Sequence, residues 1–268
     1  MDQVPWRLVK SLFNKKEREA SGLTVAEGPP SVMGALSTYA RMEMVIVSQE
    51  LARSDKWDGF REALAKHPAP GKVYTVDSSL YERMSGTKTP QGILCVLRFP
   101  FRYHRPPKPS PWERRLIVAG VDIQDPGNVG TLIRTAAAAG ASEVMFLGDS
   151  ADPFSPKCIR ASAGTIFGQN IVVDGDPVEA VSKLVRSGVR VLATVPSGGL
   201  YPWEANLADD CCVLLGNEGR GLRPEIVENL HEGLTIPMPG GTESLNVAAA
   251  SAMILYEAIR QRMETRLS

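Results

Sequence analysis

Between residues 113 and 268, short apolar runs alternate with helical segments, and this alternation restricts the chain to very few folds. The runs suited to strands are Leu116–Val121, Glu143–Leu147, Asn170–Val173, Val189–Thr194, Cys211–Leu215 and Leu234–Ile236. Helical spacing falls between them, over Val129–Ala139, Pro156–Ala163, Pro177–Arg186 and Pro224–Asn229, and a last helix is expected from about Leu245 to Arg262. Strands joined through helices pair in parallel, in a sheet covered on both faces. Ligands of such sheets collect at the carboxyl ends of the strands. The segments richest in polar chemistry sit at those ends.

The first half reads as a smaller α/β unit. Strands are expected at Leu23–Glu27, Met44–Ser48, Lys72–Val76 and Ile93–Leu97, with helices over Pro30–Arg41 and Trp57–Lys66. From Phe99 to Pro111 prolines crowd the sequence, which rules out helix and central strand and gives a stiff connector. Domains are therefore expected at 1–99 and 113–268, with a basic, proline-rich linker at 100–112. Net charge is zero, yet residues 1–112 hold 17 Lys+Arg against 11 Asp+Glu (17 − 11 = +6), and the remainder holds 13 against 19 (13 − 19 = −6). A basic half suits a polyanion, although charge alone is also satisfied by a solvated surface.

Other function classes find little support. No apolar run has the length of a membrane span, and Met1–Lys16 lacks the apolar block of a secretory leader. Cys95, Cys158, Cys211 and Cys212 show no C-x-x-C spacing and read as buried thiols in a reducing cytoplasmic or organellar setting. His67, His104 and His231 are too widely spaced to suggest a metal site.

Three segments carry the chemistry. In the first, Asp125-Pro-Gly-Asn128 is a turn, Asn128 is placed to cap the following helix, Gly140 ends it, and Arg134 lies inside it. Taken alone, Arg134 reads as a surface arginine on a small-faced packing helix. A dinucleotide-binding loop would need G-x-G-x-x-G, and only Gly127 and Gly130 are present. In the second, the strand Cys211–Leu215 runs into Gly216-Asn217-Glu218-Gly219-Arg220-Gly221, where Gly216 permits close approach of a ligand to the backbone. Turn chemistry accounts for the Asn and Gly residues but not for Glu218. In the third, Ile236-Pro-Met238-Pro-Gly-Gly leads to Ser244-Leu245-Asn246-Val247 and a long apolar helix. Ser244 is the natural N-cap, with Asn246 then in the first turn.

In this order the three segments resemble the motifs of the SpoU/TrmH family of RNA 2′-O-ribose methyltransferases, within the SPOUT superfamily. Val25-Ala-Glu-Gly28 and Thr89-Pro-Gln-Gly-Ile93 resemble the substrate-binding domain that precedes many such catalytic domains. The resemblance implies an α/β fold: a C-terminal parallel-sheet domain with a trefoil knot, preceded by a small α/β RNA-binding domain. It implies S-adenosylmethionine as cofactor, bound by Thr194, Leu215, Gly216, Asn217, Ile236, Met238, Leu245 and Val247. Asn128, Arg134, Glu218, Ser244 and Asn246 are the implied catalytic residues, with Arg134 addressing the RNA ribose-phosphate. Arginine suits a phosphate because its fork makes paired charged hydrogen bonds. The implied partners are RNA, ribosomal in the main reading, and a second copy of the chain, with Arg134 completing the partner's site. The alternatives are a tRNA target, or a non-catalytic RNA-binding scaffold.

Overall fold

The computed structural model describes residues 4–99, 110–227, 230 and 232–267. These fall into two compact units, one within Met1–Pro107 together with Asp152–Gly168, the other within Lys108–Ala151 and Gln169–Ser268. Most of the expected linker, residues 100–109, lies outside the described residues.

The first unit is built on a four-stranded mixed sheet. Its strands are β1 (Leu23–Glu27), β2 (Met42–Ser48), β3 (Lys72–Val76) and β4 (Ile93–Arg98), in the order β1-β4-β2-β3, with only β2 and β3 parallel. Short helices expected from none of the spacing patterns, Trp6–Ser11, Lys15–Ser21, Gln49–Ala52 and Ser78–Met84, join the expected ones. Val9, Leu12, Tyr81 and Met84 bury one face of the sheet against Val25, Ile46, Leu94 and Val96. The helix Pro29–Ser37 buries Val32, Ala35 and Leu36. It stops before the expected Arg41, and Tyr39 follows in a left-handed conformation at φ 56°.

The sequence boundary at 113 misses one feature. Asp152–Gly168 belongs to the first unit, although it lies deep in the second half of the chain. Its attachments are specific. Arg18, 3 % exposed, pairs with Asp152 at 2.6 Å. The Thr24 hydroxyl donates to the Phe154 carbonyl at 2.8 Å. Gly34 and Gly164 lie so close that a Cβ on Gly34 would stand 2.6 Å from the Gly164 carbonyl oxygen. Arg160 lies 3.5 Å from the buried Glu27 carboxylate. Glu27 belongs to the Val25-Ala-Glu-Gly28 segment, and it also accepts from Ser85, from the Gly86 N–H (3.1 Å) and from Thr87 (3.3 Å). Its carboxylate therefore pins the turn after the helix Ser78–Met84.

The second unit holds β5 (Leu116–Val121), β6 (Glu143–Leu147), β7 (Ile171–Asp174), β8 (Arg190–Thr194), β9 (Cys211–Leu215) and β10 (Gly233–Leu234). All pair in parallel, in the order β10-β8-β9-β5-β6-β7. β5 and β9 are buried at every position, as expected for central strands covered on both sides. The chain lays β6 and β7 on one side of β5, then crosses to place β8, β9 and β10 on the other. That reversal puts the carboxyl ends of β8, β9, β10 and β5 beside one another. The expected strand Leu234–Ile236 is reduced to the pair Gly233–Leu234, because prolines at 237 and 239 withdraw donors from the ladder. Among the described residues, no helix is long and apolar enough to cross a membrane.

Candidate active site

Loops from the ends of β8, β9 and β10 enclose a cleft of about 550 Å³. Thr194, Leu215, Gly216, Asn217, Ile236, Met238, Leu245 and Val247 all line it, as do Glu218 and Ser244. Val195 and Pro196, from the loop after β8, and Glu243, just before Ser244, line it too. Its lining is mainly apolar, which suits an adenine ring, with Glu218, Arg220 and Glu243 adding charge. Gly216 has no room for a side chain: a Cβ there would meet the Gly221 carbonyl carbon at 2.4 Å and the Leu222 nitrogen at 2.5 Å. Asn217 and Gly221 exchange main-chain hydrogen bonds of 3.0 and 2.9 Å, so this loop is a tight closed hairpin. The residues fit an adenosyl cofactor in volume, in apolar lining and in backbone access.

Asn128, Asn246 and Glu218 meet beside the cleft. Asn128 Nδ2 donates to Glu218 Oε1 at 2.9 Å, and Asn246 Nδ2 donates to Asn128 Oδ1 at 2.9 Å. Asn246 Oδ1 accepts from the N–H groups of Ala248 (3.0 Å) and Ala249 (3.3 Å) at the start of the last helix, Val247–Leu267. The amide orientations support one another. Only an N–H can face the Glu218 carboxylate or a carbonyl oxygen, and only an oxygen can face the helix N–H groups. Two side-chain bonds thus join all three motifs to one helix N-terminus.

This arrangement corrects both capping expectations. Asn246, not Ser244, caps the last helix. Ser244 is exposed, and among the described residues its hydroxyl has no partner. Likewise Asp125, not Asn128, caps the helix Pro126–Ala138, accepting from Gly127 N. Freed from capping, Asn128 reaches across to Glu218. A helix that starts two residues later than its motif suggests (Asn246) or three earlier (Asp125) exchanges cap and first-turn roles.

Burial pushes the Glu218 carboxyl up, but its hydrogen bonds from the Asn128 amide and from main-chain N–H groups outweigh burial and hold it below the usual Glu range. Glu218 is therefore a carboxylate at neutral pH. Gln124 contributes one of those groups, its N–H lying 3.4 Å from Glu218 Oε2.

Arg134 does not line the cleft. It projects to the exposed side of its helix and makes no ion pair or hydrogen bond among the described residues, while Val129, Leu132, Ile133 and Ala136 bury the opposite side. The same helix packs against the last helix, which leaves Met253, Tyr256 and Met263 52, 72 and 54 % exposed.

An ion pair stabilises the rim. Arg223 donates to Asp122 through Nε (2.7 Å) and Nη2 (2.8 Å). This fork holds the Asp122 carboxyl below the usual Asp range; partial burial opposes the lowering and the Asp149 N–H adds to it. A carboxyl depressed in the folded state stabilises above its unfolded pKa, near 3.9, and that stabilisation is lost as pH falls through the folded value. Melting temperature measured between pH 6 and pH 2.5 should drop below about pH 4. In Arg223→Met the part of that drop due to Asp122 should be absent.

Residues 115–256 match the SpoU rRNA methylase family, and residues 7–95 match the MRM3-like substrate binding domain. An uncharacterised tRNA/rRNA methyltransferase of Synechocystis is 35 % identical over 191 residues, 70 % of this chain and 68 % of that protein. The 23S rRNA (guanosine(2553)-2′-O)-methyltransferase RlmP of Bacillus subtilis is 31 % identical over 248 residues, 92 % of each chain. The crystal structure of the AdoMet-bound rRNA methyltransferase of Sinorhizobium meliloti superposes with a TM-score of 0.77 at 27 % identity, covering 95 % of this chain and 94 % of that one. The chain belongs to the SpoU family of rRNA methylases. It is an RNA ribose 2′-O-methyltransferase that uses S-adenosylmethionine.

Proposed function

We propose that this enzyme methylates a ribose 2′-hydroxyl in large-subunit ribosomal RNA, with the cofactor in the 550 Å³ cleft and the acceptor beside the Glu218–Asn128–Asn246 chain. That hydrogen-bonded junction of three separate loops is the observation that carries the reading. S-Adenosylmethionine supplies an electrophilic methyl on a sulfonium. The protein's part is to place the 2′-oxygen in line with it and to ease loss of the hydroxyl proton.

Thr194, Leu215, Gly216, Asn217, Ile236, Met238, Leu245 and Val247 hold the cofactor, in part through main-chain groups. Glu218, ionised and fixed by Asn128, orients the acceptor, and Asn246 fixes Asn128. Ser244 offers a hydroxyl at the cleft edge. A guanidinium offers no acceptor atom, so Arg134 does not serve as a base. It grips the phosphate next to the target ribose and stabilises negative charge as the oxygen loses its proton. Its distance from the cleft lining and the exposed Met253, Tyr256 and Met263 support a homodimer in which Arg134 reaches the partner's cleft. The family also implies a trefoil knot formed by the motif-bearing loops around the last helix.

The first unit is the RNA-recognition module, supported by its match to a substrate-binding domain and by the excess of six positive charges over residues 1–112. RNA affinity of the full chain should therefore fall steeply with salt, while cofactor affinity changes little. Filter binding and calorimetry across a salt series measure both, and parallel slopes would contradict the assignment.

The direct test is calorimetric titration with S-adenosylhomocysteine. Micromolar binding is expected, lost when the 216–218 and 244–246 loops are altered. Absence of binding in a folded protein, with and without rRNA, would favour a non-catalytic RNA-binding scaffold.

A further inference from the structure

Asp122 lies between the end of β5 and the first motif, and it takes φ 55°, a left-handed conformation unusual for a residue with a side chain. A strained backbone persists where the surroundings fix it, and such sites cluster at functional centres. Here the surroundings are two separate loops, one after β9 and one after β6. The Asp122 carbonyl accepts from Asn217 Nδ2 at 2.8 Å, at the start of the hairpin that carries Glu218. The Asp122 carboxylate takes the Arg223 fork just past the end of that hairpin. Oδ1 also accepts from the Asp149 N–H at 2.8 Å, beyond β6. Gly148 makes this possible, since a Cβ there would stand 2.3 Å from Asp122 Oδ1.

One residue therefore holds both ends of the Gly216–Gly221 hairpin. Asn217, anchored from below, receives the N–H groups of Gly219 and Arg220 on its Oδ1, both at 3.0 Å, which aims the intervening Glu218 toward Asn128. Gln124, two residues after Asp122, completes the frame. Its side chain donates to the Asp122 carbonyl (3.3 Å) and the Asp149 carbonyl (2.7 Å), while its N–H faces Glu218.

We infer that Asp122 is a positioning residue for methyl transfer: it clamps the second-motif hairpin to the first-motif strand end so that Glu218 faces Asn128. The inference rests on the active-site reading above. Its effect falls on turnover more than on cofactor affinity, because the hairpin's own Asn217–Gly221 bonds keep the cleft wall closed without it.

Asp122→Gly keeps the left-handed backbone and the carbonyl contact but removes the carboxylate; Arg223→Met removes the same pair from the other side. Each is expected to lower kcat about tenfold, with the Kd for S-adenosylhomocysteine changed less than about threefold. A double-mutant cycle with Glu218→Gln separates positioning from general stability. If Asp122 acts through Glu218, Asp122→Gly costs nothing further in the Glu218→Gln background. Multiplying losses in that cycle, or full activity in folded Asp122→Gly, would overturn the inference alone. Full activity in Glu218→Gln would overturn the active-site reading along with it.

Discussion

Arg134→Ala is expected to lower methylation by about a hundredfold or more, the usual scale for removing one charged group that stabilises a developing oxyanion. The fold should be unaffected. Arg134 is exposed and makes no ion pair or hydrogen bond among the described residues, and substitutions at such positions stay within about 0.5 kcal/mol. Cofactor affinity should also hold, because Arg134 is not among the cleft-lining residues. Arg134→Lys keeps the charge and loses the fork, so its activity should fall between wild type and alanine. Single-turnover methylation of rRNA, calorimetry with S-adenosylhomocysteine and thermal melting together decide the matter. A near-normal rate in Arg134→Ala would remove Arg134 from the catalytic set. Mixing Arg134→Ala protomers with Glu218→Gln protomers then tests whether the arginine acts across a dimer: recovered turnover in the mixture is the expected result.

Asn246 does two jobs, and two substitutions separate them. Asn246→Ala removes the helix cap and the bond to Asn128. Losing the cap should cost about 1 kcal/mol, and a melting shift of roughly 2–4 °C follows for a chain of this size. Asn246→Ser restores a capping oxygen, but its hydroxyl falls short of the reach of the amide that meets Asn128 at 2.9 Å. Both variants should lose most turnover, and only alanine should lose stability. Activity that follows melting temperature across the pair would show that Asn246 matters as a cap and not as an orienting amide.

The parallel-sheet architecture was legible because its signal is periodic and long. β5, β6 and β9 begin and end where the apolar runs do, since central strands buried on both faces need uninterrupted apolar sequence. The short helices of the first unit were not legible. Trp6–Ser11 and Gln49–Ala52 span too few residues to show a 3.6-residue repeat, and tertiary packing holds them. Within the site, residue identity was legible and role was not. Asn128 and Asn246 stand out in their motifs, yet a sequence cannot say whether an asparagine caps its own helix or bonds to a residue 118 positions away. Asp122 was missed altogether. The signal that marks it is conformational, a positive φ enforced by Arg223 and Asp149, and an Asp between a strand and a turn is ordinary in composition.

The allegiance of Asp152–Gly168 to the first unit sets an order of events during synthesis. Arg18 and Thr24 leave the ribosome early, but their partners Asp152 and Phe154 follow some 130 residues later. At about 5–20 residues per second, the nascent first unit waits roughly ten seconds with those groups unsatisfied. By the end of that wait, residues 113–151 of the catalytic half have been made as well. A gene fragment ending at the proline-rich connector would never deliver the missing piece, so grafting the first unit onto another protein requires carrying residues 152–168 as well.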